Sequence, residues 1–269
     1  MGVIKKILFR WKKDTALVKT LSLSTTSNSA TWSPDIIINN GSTLTWKATG
    51  GVTQTIVADD PTFNLSSNVG TVNMDVYNVS LLNKFDVANL NITSIDVTQA
   101  TVLDFLYSGF NPITTLDVTQ NTLLTKLNCT DNSLTTLDIS QNTILNTIFC
   151  DNNSLTTLNT STNTLLEFLI CTVNSLTSLN VSNNTLLKTI WCRDNSLATL
   201  DISANTLVNN LSCYGNSFSS TVTNSILASL VSHGVTGGQL LYRNNETGQG
   251  VTDRATLVTR GWTIVNYAT

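Results

Sequence analysis

The chain has 269 residues, ample length for a sizeable core, and a net charge of −3 with only 12% charged side chains. Charge this sparse, beside abundant Thr, Ser and Asn, is low for a cytosolic enzyme and common among extracellular or virion β-rich proteins. No stretch reaches the roughly 18 consecutive apolar residues of a membrane-spanning helix.

Residues 1–20 carry six basic side chains against Asp14 alone, while the rest of the chain has 8 basic and 16 acidic ones. The start is therefore a basic arm on an acidic body. Val3, Ile4, Ile7, Leu8 and Trp11 follow helical spacing with the cations largely opposite. Lys5, Lys6, Arg10, Trp11, Lys12 and Lys13 are the candidate anchor, for a capsid, a membrane face or packaged nucleic acid. The alternative is a solvated terminal helix on the chain's own body. The arm does not read as a secretory signal, because Arg10, Lys12 and Lys13 interrupt its apolar run and no small-residue cleavage site follows. Lys6 stands where a myristoylation signal needs Ser or Thr.

Residues 21–73 read as a β-rich N-terminal cap. Ile36, Ile37 and Ile38 lead into the turn signal Asn39-Asn40-Gly41-Ser42, residues 43–47 alternate as a second strand, and residues 53–58 follow Gly50-Gly51 as a third. Residues 74–94 are expected to form a decayed first coil of the array that follows. Leu82, Phe85, Val87 and Ile92 fall on its skeleton sites, with Leu90 where later copies have Asn.

From residue 95 to 220 the chain repeats every 21 residues. The clearest pair reads LDVTQNTLLTKLNCTDNSLTT (residues 116–136) and LDISQNTILNTIFCDNNSLTT (residues 137–157). The skeleton L-x-x-L-x-C-x-x-N-x-L is carried in one copy by Leu124, Leu127, Cys129, Asn132 and Leu134. It resembles the leucine-rich repeat, in a short bacterial form with Cys at a Leu site. That resemblance implies a β-rich solenoid over residues 74–220, with one short parallel strand per coil and the sheet on the concave face. Neighbouring coils would stack about 4.8 Å apart, and stability would come from interfaces between them, since no coil buries its own leucines.

Three columns follow from the period. Asn111, Asn132, Asn153, Asn174, Asn195 and Asn216 are expected to satisfy main-chain groups where the chain leaves each strand. Cys129, Cys150, Cys171, Cys192 and Cys213 are expected to be buried thiols, since stacked Cβ atoms about 4.8 Å apart lie outside disulfide range. Asp96, Asp117, Asp138, Asn159, Asn180 and Asp201 suit local turn chemistry better than a calcium site, because the two asparagines interrupt the charge.

Side chains flanking the inward pair point out from the strands. There Tyr107, Phe149, Phe168, Ile170, Trp191, Arg193 and Tyr214 form the candidate binding surface, since contiguous exposed aromatic residues usually mark recognition. The alternative is that another part of the chain or a second subunit covers them.

Residues 221–269 read as a C-terminal cap. A helix is expected over residues 222–233, stopping at Gly234, and a strand over residues 239–242. A short helix capped by Thr252 and ending at Arg260, then a strand over residues 262–265, would follow. The stretch GQGVTDRATLVTRGWTIV resembles a tail of repeat-bearing structural proteins of tailed bacteriophages.

Catalysis has little support. The only histidine is His233, no phosphate-cradling loop is present, and paired carboxylates of a carbohydrate-active enzyme could be sought, for instance, around Asp59-Asp60. No catalytic residue, metal or cofactor is assigned. Three readings remain: a bacteriophage virion structural protein such as a spike, fibre or decoration subunit; a secreted or cell-surface bacterial leucine-rich repeat adhesin; and, weakest, the enzyme. The expected partners are other virion proteins, a host-surface protein or glycan, or a second copy of the chain.

Overall fold

In the computed structural model, residues 84–243 and 245–267 are described in full. Before them, the main chain of residues 20–25, 35–38, 44–48, 53–56, 72–77 and 82–83 is described. The anchor residues Lys5, Lys6, Arg10, Trp11, Lys12 and Lys13, and the pair Asp59-Asp60, lie outside these residues. Two compact units, Met1–Asn142 and Thr143–Thr269, are distinguished.

The first unit contains β1 (Thr20–Thr25), β2 (Asp35–Ile38), β3 (Leu44–Ala48), β4 (Thr53–Ile56), β5 (Val72–Tyr77), β6 (Leu82–Asp86), β7 (Ile92–Asp96), β8 (Phe105–Tyr107) and β9 (Lys126–Asn128). β6, β8 and β9 pair in parallel, Phe85 opposite Leu106 and Leu106 opposite Leu127, so residues 82–86 do form the strand of an early coil. Phe85, Val87 and Ile92 are fully buried there. Asn111 Oδ1 accepts from Ile92 N–H, as the later ladder asparagines Asn132 and Asn174 do from the coil before them, and also from Leu90 N–H.

Of the strands before the array, β3 and β4 pair antiparallel on either side of Gly50-Gly51, whereas β2 and β3, on either side of Asn39-Asn40-Gly41-Ser42, do not pair with each other. β2 pairs antiparallel with β6, whereas β3 lies in a separate sheet of order β4-β3-β5-β1-β7. β1 also pairs antiparallel with β7, the return segment of the same early coil. Both the strand and the return segment of that coil therefore carry antiparallel partners. This closes a parallel ladder that would otherwise present a bare edge.

The second unit contains β10 (Thr147–Phe149), β11 (Phe168–Ile170), β12 (Thr189–Trp191), β13 (Asn210–Ser212), α1 (Ser220–His233), β14 (Gln239–Tyr242), α2 (Gln249–Thr259) and β15 (Thr263–Asn266). Its strands pair in parallel in chain order. Ile148, Leu169, Ile190 and Leu211 point inward, with Cys150, Cys171, Cys192 and Cys213 two residues on, and all eight are buried. Each large aliphatic side chain so buried contributes about 1.5–3 kcal/mol.

Asparagines tie the coils together at two places. The Asn195 amide donates to the carbonyls of Cys171, Cys192 and Arg193 at 3.0–3.2 Å, and its Oδ1 accepts from Leu176 N–H. Asn174 and Asn216 bond in the same way, so the column does the work expected of it. A second column, Asn121, Asn142, Asn163, Asn184 and Asn205, is fully buried. Asn184 donates to Thr160 and Asn163 carbonyls and Asn205 to Val181 and Asn184 carbonyls, all at 2.8–2.9 Å.

At the C-terminal end α1 starts at Ser219, whose hydroxyl accepts from Val222 N–H, and stops at Gly234 with φ 73°. The second helix departs from expectation. It begins at Gly248 with φ 52°, and Thr252 sits inside it, its carbonyl accepting from the Thr256 hydroxyl. A glycine able to adopt positive φ sets the helix start one turn earlier than the threonine.

Candidate functional site

The outward faces of β10 to β15 carry three parallel columns, because a strand exposes every second residue and the pairing is in register. The middle column runs Phe149, Ile170, Trp191, Ser212, Leu241, Val265. The one before it runs Thr147, Phe168, Thr189, Asn210, Gln239, Thr263. The third, two residues beyond the middle column, holds Arg193 and Tyr214.

Six of the seven candidate binding residues thus lie together in the second unit. Tyr107 lies in the first, on β8, with Lys84 Nζ 5.9 Å from its ring centroid. Burial there raises the Tyr107 pKa, with the nearby Lys84 charge opposing the shift.

These side chains are less bare than expected. Phe149, Ile170, Trp191, Arg193 and Tyr214 are half-buried, and only Phe168 is exposed, at 39%. Strands about 4.8 Å apart bring side chains of one column into mutual contact, so each covers its neighbours' flanks. Phe168 stands between Thr147 and Thr189, both buried, and Ser212 in the middle column is buried as well.

Polar groups fix the rings. The Trp191 indole N–H donates to Asn210 Oδ1 at 3.0 Å, linking two columns across adjacent strands. The Arg193 guanidinium pairs with Asp194 and lies 5.6 Å from the Tyr214 ring centroid. On its other side Tyr214 stacks on Tyr267, with centroids 4.0 Å apart and planes 23° apart. The result is a cation and two rings in series, beside a strip of Phe, Ile and Trp. Tyr267 and Asn210 were not among the sequence candidates for this surface. Asn210 shares the outward column of Phe168, and Tyr267 lies past α1 and α2, where the 21-residue period no longer sets register.

The other columns have local roles. Asp96, Asp117, Asp138, Asn159, Asn180 and Asp201 each accept through Oδ1 from the main-chain N–H two residues on. The Ser140 and Ser203 N–H groups hold the Asp138 and Asp201 carboxyls below their usual pKa. The five cysteines are buried thiols, none of them in a disulfide. Burial pushes the Cys192 thiol up to about 12 and those of Cys171 and Cys213 well above the ordinary value. Among the described residues, no three His, Cys, Asp or Glu side chains are placed to hold a metal ion. No helix among them is long and apolar enough to cross a membrane.

Among solved structures, the functional domain of InlJ from Listeria monocytogenes, which includes a cysteine ladder, is similar to this chain at 31% identity and a TM-score of 0.51. The match covers 66% of this chain and 44% of that one. The internalin InlF of Listeria monocytogenes strain 4b F2365 is similar at 18% identity and a TM-score of 0.50, over 71% of this chain and 63% of its own. The fold is a leucine-rich repeat solenoid. This chain spans less than two thirds of the length of either structure. No protein-family model and no curated protein matches it.

Proposed function

We propose that this leucine-rich repeat protein is a recognition subunit of a bacteriophage virion, a spike, fibre or decoration protein, which binds a protein partner through the outward face of its second unit. The observation that carries the recognition reading is the in-register strip of Phe149, Ile170 and Trp191 beside Arg193, Tyr214 and Tyr267. Trp, Tyr and Arg dominate the energetics of protein interfaces, and here their rings are already held in place by neighbours, which lowers the entropy lost on binding. The virion setting rests on the phage-like stretch over residues 248–265. The basic arm, with Lys5, Lys6, Arg10, Trp11, Lys12 and Lys13, would attach the subunit to its particle.

The likeness to the InlJ domain, at 31% identity with a cysteine ladder of its own, favours a second reading as a bacterial adhesin. Mass spectrometry of purified particles and of host envelope fractions separates the two settings.

Recognition is tested with Trp191→Ala. The change is expected to cost about 1 kcal/mol of stability, as point changes commonly do. It should weaken binding of labelled protein to host cells or to purified particles by about 2 kcal/mol or more. Unchanged binding to both would remove this face from the interaction.

A further inference from the structure

Just before β11, β12 and β13, the chain makes a tight turn whose two central residues face solvent. Leu166 N–H donates to Asn163 carbonyl, Leu187 to Asn184 and Val208 to Asn205, each at 3.1 Å, leaving Thr164-Leu165, Thr185-Leu186 and Thr206-Leu207 at the turn centres. Exposed turn centres are ordinarily polar. Here the second position is a large aliphatic in every coil: Ile144 at 37%, Leu165 at 45%, Leu186 at 38% and Leu207 at 45% exposure. Stacked about 4.8 Å apart, the four make an apolar ridge about 15 Å long on the edge of the array. It is distinct from the aromatic face. The core does not need these side chains, since Leu145, Leu166, Leu187 and Val208, one residue on, fill the inward sites.

The residues flanking the ridge say what covers it. Two positions beyond each ridge residue stand Asn146, Glu167, Lys188 and Asn209. Glu167 and Lys188 are paired at 2.6 Å and remain partly exposed. This column reads the same in reverse, with the charge sign exchanged at its centre. A two-fold axis between the coils of Leu165 and Leu186 places Leu165 against the partner's Leu186 and Ile144 against the partner's Leu207. The same axis sets Glu167 facing the partner's Lys188, Lys188 facing the partner's Glu167, and Asn146 facing the partner's Asn209. An isologous interface has to be complementary to itself under this operation. Within the second unit, the four ridge residues and the four flanking residues meet that condition, and they offer a foreign partner no net charge to recognise.

We propose that the ridge Ile144, Leu165, Leu186 and Leu207 is an antiparallel, two-fold dimer interface with a second copy of this chain, its register set by Glu167 and Lys188. Sedimentation of the full chain over a concentration series should show a dimer. Leu165→Glu combined with Leu186→Glu should weaken it about thirty-fold or more while leaving the melting temperature unchanged, since both side chains are exposed in the monomer. Glu167→Lys alone should also weaken the dimer by setting like charges against each other, and adding Lys188→Glu to the same chain should restore it. A monomer at every concentration overturns the proposal and leaves the ridge to a foreign partner or to the basic arm. A dimer insensitive to the leucine changes, or one that the double charge exchange does not restore, overturns it as well.

Discussion

Val173 occupies one of the costliest backbone positions of the array. The residue preceding each ladder asparagine adopts a left-handed conformation, as does Asn89 before Leu90: Asn89, Phe110, Asp131, Asn152, Val173 and Asp194 have φ between 50° and 57°, and Gly215 has φ 67°. Asn, Asp and Gly tolerate this region, whereas β-branched and bulky side chains do not. The left-handed form costs about 1–2 kcal/mol for an ordinary residue. Val173→Asn is therefore expected to raise stability by about 1 kcal/mol, read as a higher denaturation midpoint with an unchanged slope; a midpoint that falls would show that the Val173 side chain, 38% exposed, is held by contacts worth more than the strain. The thiols make a second test at this scale. With all five buried and burial raising the pKa of Cys171, Cys192 and Cys213, native protein should not react with a thiol reagent at neutral pH, and denatured protein should release five equivalents. Rapid native labelling would mean that the coils open or are packed differently.

Within a coil, the inner asparagine shows how one position depends on the coil before it. Asn184 and Asn205 each span two neighbouring carbonyls, yet their side-chain oxygens differ. Asn184 Oδ1 accepts from the Thr160 hydroxyl at 2.8 Å, whereas Asn205 Oδ1 is buried without a partner. The difference is a single residue, since the position of Thr160 is filled by Val181 in the next coil. Thr160→Val should cost about 1 kcal/mol, because an unsatisfied buried acceptor is worth about 1–3 kcal/mol. Val181→Thr should be neutral or stabilising, because it supplies the hydroxyl Asn205 lacks. Equal losses in both variants, by chemical denaturation, would rule out that pairing.

At the scale of the whole molecule, chemistry is distributed unevenly. In the second unit aromatic residues gather on the strand faces and exposed aliphatics on the pre-strand edge, while six basic residues stand in residues 1–20. If that arm is the anchor, deleting residues 1–20 should leave circular dichroism and melting unchanged and abolish incorporation into particles. Attachment by charge would weaken as salt rises, since exposed charges are screened over about 8–10 Å at physiological ionic strength. Loss of folding would place the arm in the core, and normal incorporation would make it a passive tail.

Sequence alone determined whatever the 21-residue period controls: the coils, the inward Leu and Cys, the outer asparagines and the outward position of Phe149, Ile170 and Trp191. Periodicity settles these because stacked copies place equivalent residues in equivalent surroundings, so a side chain's role can be read from its column. Tertiary structure decided whatever depends on pairing between dissimilar segments. The partners of β2 and β1, the stacking of Tyr267 on Tyr214 across an interrupted register, and the start of α2 at Gly248 are of this kind. It also decided exposure. Thr147 and Thr189 share an outward column with Phe168, and only the packing against neighbouring side chains buries the two threonines while Phe168 stays exposed.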